Sequence, residues 1–333
     1  MRYVMPNTAH LQQLARTVPA TIPKLESPFP AQIHPLAAEV QQQTTKWVLE
    51  QGLLSEARRK AFLDYNYTLL IARCYPYASV ERLQIISDWN AWLFELDDQC
   101  DEARIGHDPQ ALARLHQRLG AVIRGATVAA DEPLLVTALA DIMGRMRALA
   151  PLAWFEVFTQ QVDDYFIGNQ WEAHNRLYSI IPSEIEYLHY RKFTSAVAIY
   201  IAFIEFMNAS YLTADERQSI DLRNLQNWTN LVLSLCNDLV SVKKELRQGD
   251  WHNYGAIVAL KRGMSIPEAL EIVANEHNHC IQQFITTTTQ LKNCSVALQK
   301  VLNGMMTLMR GNYDWSDITS RYATKLTELS YAA

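Results

Sequence analysis

The sequence is poor in the residues that make tight turns and cross-links. Only 11 glycines and 12 prolines occur among 333 residues, and alternating β-branched runs between hairpin turns are absent. A β-sheet protein would need both signals. The 5 cysteines are an odd number and form no CxxC pair. They therefore argue against a zinc ribbon or a disulfide framework and indicate reduced thiols.

Long apolar runs and clusters of basic residues are also missing. The longest apolar stretch, Ala196 to Met207, is interrupted by Glu205 and is shorter than the roughly 20 residues of a membrane span. The N-terminus has no apolar signal-peptide core. With a formal net charge of −5 and no basic stripe, nucleic acid is not an expected partner. We expect a cytoplasmic protein without a membrane span, and the sequence does not decide between a monomer and a homodimer.

The arrangement of prolines and apolar residues predicts an all-α fold. Prolines cluster in residues 1–35, which we interpret as an extended N-terminal arm. From Leu36 onward apolar residues recur at spacings of three and four, and 49% of the chain is hydrophobic. We therefore predict one domain, residues 36–333, with about ten or more helices. Three capping boxes mark helix starts: Ser183 with Glu186, Thr213 with Glu216, and Ser265 with Glu268.

One helical segment ends in a group of carboxylates. Phe94, Asp97, Asp98 and Asp101 stand at positions i, i+3, i+4 and i+7, which places them on one helix face. Three carboxylates at the C-terminal end of a helix repel one another and oppose the helix dipole, so a cation would stabilise them. Oxygen ligands suit Mg²⁺. The alternative is a solvated acidic helix end, and the spacing alone does not decide between the two.

A second segment favours the metal site. Asn237, Ser241 and Glu245 follow one another at intervals of four, which aligns three oxygen ligands along about 12 Å of one helix. Lys244 lies beside them, where it could meet a phosphate. Any one of these residues could be an ordinary polar residue facing water. Their combination indicates a site that binds a cation and an anion together.

The two segments resemble the motifs of a known family. Asp97 to Asp101 (DDQCD) resembles the aspartate-rich motif, and Asn237 to Glu245 (NDLVSVKKE) the NSE motif, of class I terpene synthases, in particular the bacterial single-domain terpene cyclases. The resemblance implies a class I terpenoid synthase α-domain, an antiparallel helix bundle around a deep apolar active-site cavity that the N-terminal arm caps. Further similarities lie at Pro28-Phe29, His34-Pro35, Trp47, Arg73 to Ala78, Trp171-Glu172 and Arg321-Tyr322.

The resemblance also implies roles for individual residues. Arg191, 46 positions before Asn237, would sense the diphosphate, Thr194 would be the linker, and Ser195 the helix-break effector, where many relatives have glycine. Phe94 and Trp315 would form a cavity wall whose aromatic faces stabilise a carbocation. The implied diphosphate contacts are Arg191, Asn237, Lys244, Arg321 and Tyr322. The implied ligands of three Mg²⁺ ions, for which Mn²⁺ could substitute, are Asp97, Asp98, Asp101, Asn237, Ser241 and Glu245.

Position on the helix distinguishes the three aspartates. Asp97 follows Phe94 by one turn and should face the cavity, so it is the first candidate for a direct metal ligand. Asp98 and Asp101 could instead support Asp97 without binding the metal directly.

The predicted function is a Mg²⁺-dependent terpene cyclase that ionises a linear prenyl diphosphate and cyclises the resulting cation. Farnesyl diphosphate is the first expectation for the substrate, and a diterpene cyclase acting on geranylgeranyl diphosphate is the alternative. A prenyl diphosphate synthase should carry a second aspartate-rich motif, which the NSE pattern replaces here. A non-catalytic helical binding protein would have no need to retain the metal and phosphate positions. The product, and whether water quenches the last cation, stay open.

Overall fold

The structure is a computed structural model that describes residues 8–102, 105–292, 294–322 and 326, without the side chains of residues 99–102. Within these ranges the chain is helical and contains no β-strand, which confirms the predicted all-α fold. The helices are α1 Thr8–Ala15, α2 Ala37–Glu50, α3 Arg59–Tyr65, α4 Tyr67–Cys74, α5 Val80–Glu102, α6 Pro109–Ile123, α7 Leu134–Leu149, α8 Leu152–Tyr178, α9 Glu184–Thr194, α10 Val197–Met207, α11 Ala214–Gln218, α12 Ile220–Gln248, α13 Tyr254–Arg262, α14 Ile266–Gln290 and α15 Val296–Ile318.

Side-chain caps fix where several helices begin. All three predicted capping boxes are present, at the starts of α9, α11 and α14. In each, the N-cap hydroxyl accepts from the third backbone N–H while the glutamate accepts from the N-cap N–H. Asn253 caps α13 in a related way, because its side chain accepts from the N–H groups of Gly255 and Ala256.

The bundle is built around α12. This helix contacts α1, α9, α10, α13, α14 and α15. The remaining long helices α5 and α8 pack against α10, and stacked aromatic rings fill the space among these three. Trp89 contacts Phe158 and Phe203 edge to face, with ring centroids 5.3 and 5.7 Å apart. Aromatic pairs of this geometry stabilise a core beyond the area they bury.

The N-terminal arm differs from an extended segment because residues 8–15 form helix α1. Leu11 and Ala15 are buried, and α1 packs on α12. Residues 16–36 continue without helix, and Arg310 holds them through a hydrogen bond from Nη1 to the carbonyl oxygen of Phe29, at 2.9 Å. Residues 8–35 contribute no side chain to the main cavity. A capping role for the arm therefore stays a prediction.

The described helices include none with the length and hydropathy needed to cross a bilayer.

Candidate active site

One deep cavity of about 270 Å³ lies among α4, α5, α8, α9, α10, α12 and α15. Its mouth is polar and its interior largely apolar. Leu70, Ile71, Leu93, Val197, Leu233 and Leu308 contribute aliphatic walls. The C-terminal halves of α5, α8 and α12 approach the mouth, so their helix dipoles favour cations there.

The aspartates of α5 point to two different spaces. Asp97 lines the main cavity, and 54% of its side chain is exposed. Removal from bulk water raises the pKa of Asp97, while Arg321 and Lys244 oppose the rise. Asp98 lines a separate side cavity and lies 3.0 Å from Nη2 of Arg321. The side chain of Asp101 lies outside the described residues, so its predicted metal contact stays a prediction.

The predicted stripe on α12 faces the main cavity. Asn237, Ser241 and Glu245 all line it. Asn237 Oδ1 accepts from Arg191 Nη2 at 2.8 Å, and Glu245 Oε2 accepts from Asn253 Nδ2 at 2.7 Å. Burial, and then the charge of Asp238, raise the pKa of Glu245 to about 8. A carboxylate held in this environment is stabilised by any cation that reaches it.

These oxygen donors fit a magnesium ion. Carboxylate, amide and hydroxyl oxygens form a hard ligand set. Mg²⁺ usually binds only a few protein ligands and fills the rest of its coordination shell with water and phosphate oxygens. The described side chains contain no group of three or more His, Cys, Asp or Glu residues able to hold a metal. The stripe on α12 has only one carboxylate, and Asp101 is outside the described side chains.

Arg191 and Thr194 are brought to the cavity by a break between α9 and α10. Helix α9 ends at Thr194, and Ala196 adopts left-handed backbone with φ of 58° before α10 begins. The left-handed residue is thus Ala196, while Ser195 keeps ordinary helical φ. Ser195 Oγ donates to Asn230 Oδ1 at 3.1 Å, which ties the break to α12. The resemblance implied that Arg191, Thr194 and Ser195 belong to the site, and all three line the main cavity. Their roles stay predictions.

Gly168 of α8 allows the break to lie close to its neighbour. A Cβ atom at Gly168 would be 2.8 Å from the backbone nitrogen of Thr194 and 2.9 Å from Cβ of Phe193. Any larger residue would therefore push α8 away from the end of α9.

Asp238 holds Arg191 and was not singled out from the sequence. Its Oδ1 lies 2.7 Å from Arg191 Nη2, and its Oδ2 accepts from the Tyr187 hydroxyl at 2.9 Å and from the Tyr254 N–H at 3.1 Å. The side chain of Asp238 is 1% exposed. Arg191 is itself buried, and the surrounding negative charge of Asp238 and Glu245 raises its pKa, although burial opposes this. Asp238 and Asn237 therefore hold Arg191 as a cation in the lining of the main cavity.

Arg321, Tyr322 and Lys244 complete the polar mouth. Tyr322 accepts a hydrogen bond from Asn237 Nδ2 at 2.9 Å. Arg321 contacts Asp97 at 3.5 Å and the Tyr67 hydroxyl, and its guanidinium lies 4.9 Å from the ring centroid of Phe94. Lys244 lines both cavities. Together with Arg191, these donors and cations line the same cavity as Asp97 and Glu245.

Phe94 and Trp315 form an aromatic wall just inside the mouth. Their ring centroids are 6.2 Å apart, and Phe94 stacks on Tyr67 at 3.9 Å. Trp315 is fixed by a hydrogen bond from Nε1 to the carbonyl oxygen of Tyr65 at 3.0 Å. The π faces of these rings can stabilise a cation without reacting with it.

Two further polar groups of the cavity were missed from the sequence. On α8 and the loop after α12, Arg176 donates to Asp250 at 2.7 Å and to Glu172 at 3.0 Å. Deeper inside, the Tyr200 hydroxyl donates to Asn90 Oδ1 at 2.6 Å, and Asn90 is fully buried. Glu172 belongs to the Trp171-Glu172 similarity, but its pairing with Arg176 was not predicted. The other two pairs join residues 74 and 110 positions apart, which no sequence motif connects.

Comparison with known proteins identifies the family. The model described as terpene synthase family 2, C-terminal metal binding, matches residues 88–283. A (+)-T-muurolol synthase ((2E,6E)-farnesyl diphosphate cyclizing) of Roseiflexus castenholzii is 36% identical over 304 residues, which cover 90% of this chain and 93% of the relative. A germacrene A synthase of Nostoc punctiforme is 30% identical over 305 residues, covering 90% of this chain and 94% of the relative.

Solved structures share the fold. The crystal structure of germacradien-4-ol synthase from Streptomyces citricolor superposes with a TM-score of 0.78 at 23% identity, covering 88% of this chain and 98% of that one. This likeness supports the class I terpene synthase fold alone. Because the family model matches more than half of the chain and both relatives match over nearly their whole length, the chain belongs to terpene synthase family 2 and is a terpene cyclase.

Proposed function

We propose that this cyclase ionises farnesyl diphosphate with the help of Mg²⁺ and closes the resulting allylic cation into a cyclic sesquiterpene. The observation that carries the proposal is the division of one cavity into a polar mouth and an aromatic and aliphatic interior. Such a division matches a substrate with a diphosphate at one end and a hydrocarbon chain at the other. The name of the Roseiflexus castenholzii relative, which specifies farnesyl diphosphate, supports the substrate length.

Residues at the mouth would bind the diphosphate and the metal. Mg²⁺ would be held by Asp97 on one side and by Asn237, Ser241 and Glu245 on the other, with Asp101 as a further candidate. When bound, Mg²⁺ supplies Lewis-acid stabilisation of the charge on the departing diphosphate. Arg191, Lys244, Arg321 and Tyr322 donate hydrogen bonds to its oxygens, and fixed donors of this kind favour the charge that develops as the C–O bond breaks.

The interior controls the fate of the cation after ionisation. Phe94 and Trp315 present π faces to the cation, and the aliphatic walls exclude water that would quench it. Confinement brings the remaining double bonds of the chain close to the cationic carbon, so an intramolecular attack closes a ring. Loss of a proton or capture of water then ends the reaction.

The test is turnover of candidate substrates. Purified protein is incubated with geranyl, farnesyl or geranylgeranyl diphosphate, with and without Mg²⁺, and diphosphate release is measured beside volatile products by gas chromatography. We expect release and a cyclic product with farnesyl diphosphate, and neither without Mg²⁺. Turnover of geranylgeranyl diphosphate alone would assign the enzyme to diterpenes. No turnover of any of the three would refute the proposal, and a requirement for isopentenyl diphosphate would indicate chain elongation instead.

A further inference from the structure

A side cavity of about 280 Å³ lies behind the aspartates of α5. It is separate from the main cavity but shares Lys244, Gln248 and Arg321 with it. Asp98 faces this side cavity, together with Glu95 and Arg58. The arrangement places two carboxylates of one helix face between two arginines that come from distant parts of the chain.

Asp98 is shared by the two arginines. Arg321 Nη2 lies 3.0 Å from Asp98 Oδ1, and Arg58 Nη2 lies 3.9 Å from Asp98 Oδ2. Arg58 also donates through Nη1 to Glu95 Oε2 at 3.1 Å. Its guanidinium therefore spans two carboxylates one helical turn apart. Such a fork is available to arginine but not to lysine, whose ammonium is a single point of charge.

The two arginines differ in what else they can bind. Arg321 also contacts Asp97 and lines the main cavity, so it can turn to a bound diphosphate. Arg58 lines the side cavity but not the main one. It is fixed to Glu95, whose side chain is 3% exposed. When Arg321 moves to a diphosphate, Asp98 loses its nearer cation, and Arg58 is the cation that stays beside it.

We propose that Arg58 is a positioning residue that neutralises Asp98 and so sets how readily Arg321 is released from Asp98 to a bound diphosphate. The inference rests on the proposed function, because it assumes that a diphosphate binds at the mouth. Without Arg58, Asp98 depends on Arg321 alone and holds it more strongly. Diphosphate must then break a stronger ion pair, so it binds more weakly.

The test measures binding of inorganic diphosphate in the presence of Mg²⁺ by isothermal titration calorimetry. For Arg58→Gln we expect the dissociation constant to rise about twofold to fivefold, the range expected for a partly exposed ion pair. Arg58→Lys keeps the charge but not the fork and should lie between Arg58→Gln and the wild type. With farnesyl diphosphate as substrate, KM should rise more than kcat falls, because Arg58 touches no reacting atom.

Arg59→Gln is the matched control. Arg59 is the next residue, is 49% exposed, and pairs with Glu56 at 3.4 Å in the same turn. The substitution removes the same charge at nearly the same place, so a general electrostatic effect would weaken binding equally in both variants. We expect binding by Arg59→Gln to equal that of the wild type. Equal losses in the two variants would overturn the inference.

A double substitution tests the route through Asp98. In an Asp98→Asn background, Arg321 is no longer held by a charge at this position, so adding Arg58→Gln should change the dissociation constant less than about 1.5-fold. An undiminished effect in that background would show that Arg58 acts through the fold and would overturn the inference. So would unchanged binding by Arg58→Gln. If the wild type itself binds no diphosphate with Mg²⁺, the proposed function fails and this inference fails with it.

Discussion

The ion pair between Asp238 and Arg191 offers the sharpest test of how buried charges position the side chains of the active site. Asp238→Asn keeps the shape of the side chain but removes the charge that faces Arg191 at 2.7 Å. If the new amide keeps its oxygen toward the Tyr187 hydroxyl and the Tyr254 N–H, its NH₂ group faces the guanidinium, and two donors then oppose each other. Arg191 becomes a buried cation that has lost its nearest counter-charge.

The cost can be worked from the burial of the pair. Removing one partner of a buried ion pair destabilises a protein by about 3–5 kcal/mol. Arg191 keeps its hydrogen bond to Asn237 and the nearby charge of Glu245, so we expect the lower end, about 3 kcal/mol. Turnover of farnesyl diphosphate should fall by about tenfold or more, because a loss of about 1.4 kcal/mol in the placement of Arg191 already costs that factor.

Urea unfolding and steady-state turnover give the two readouts. Asp221→Asn, an exposed residue in the first turn of the same helix, is the control and should change stability by no more than about 1 kcal/mol, the range for an exposed charge near a helix N-terminus. Arg191→Gln combined with Asp238→Asn removes both charges and should recover most of the lost stability without recovering turnover. Asp238→Asn with the stability and turnover of the wild type would refute the reasoning, as would a double variant that is no more stable than the single one.

Three other substitutions test the packing and burial of particular side chains. Gly168→Ala should destabilise the protein by about 1–3 kcal/mol and lower turnover because α8 and α9 must separate, whereas Gly144→Ala, with no atom within 4 Å of the new Cβ, should be neutral or stabilising in the same urea titration. Burial lowers the pKa of both His116 and His277 to about 4. As pH falls below about 6.5, these histidines take up protons in the unfolded chain before they do so in the folded protein, so protonation favours unfolding. Each histidine should therefore lower the free energy of unfolding by about 2 kcal/mol at about pH 5. His116→Gln should remove half of that pH dependence. Tyr200→Phe removes the hydroxyl that donates to the buried Asn90, so it should destabilise the protein by about 1–3 kcal/mol and also shift the ratio of products in gas chromatography. An unchanged product ratio would show that this hydroxyl lies away from the cation.

The sequence predicts the features that depend on neighbouring residues. Capping boxes involve residues three apart, and all three were read correctly. The intervals of four in α12 likewise put Asn237, Ser241 and Glu245 on one face, because the helix is regular over that length. Placing Asp97 one turn after Phe94 correctly predicted that its side chain faces the main cavity. Whether these residues bind metal stays a prediction.

Spacing along the chain does not predict contacts between distant segments, and only the family resemblance brought Arg191 and Arg321 to the same site as Asn237. The spacing placed Asp98 on the same face as Asp97, but a rotation of about 100° is enough to turn Asp98 into the side cavity, where Arg321 and Arg58 stand. Asp238 follows Asn237 directly, yet its importance appears only once α9 packs on α12 and brings Arg191 to it. No local sequence pattern predicts such packing, because partners such as Arg321 and Asp98 are 223 positions apart in the chain.

The groups predicted to meet metal and diphosphate are paired with one another in the structure. Arg321 contacts Asp97 and Asp98, and Arg191 contacts Asn237. A cation that takes Asp97 leaves Arg321 with one partner fewer, and an anion that takes Arg321 leaves Asp97 and Asp98 without that counter-charge. Either ligand alone therefore leaves one member of each broken ion pair without its partner. When both bind, the cation pairs with the carboxylates and the anion pairs with the arginines. Each ligand should consequently raise the affinity for the other by the same factor, since coupling between two binding equilibria is reciprocal. Titrating inorganic diphosphate at low and at saturating Mg²⁺, and Mg²⁺ with and without diphosphate, measures the factor from both sides, and independent binding of the two would contradict this account of the mouth.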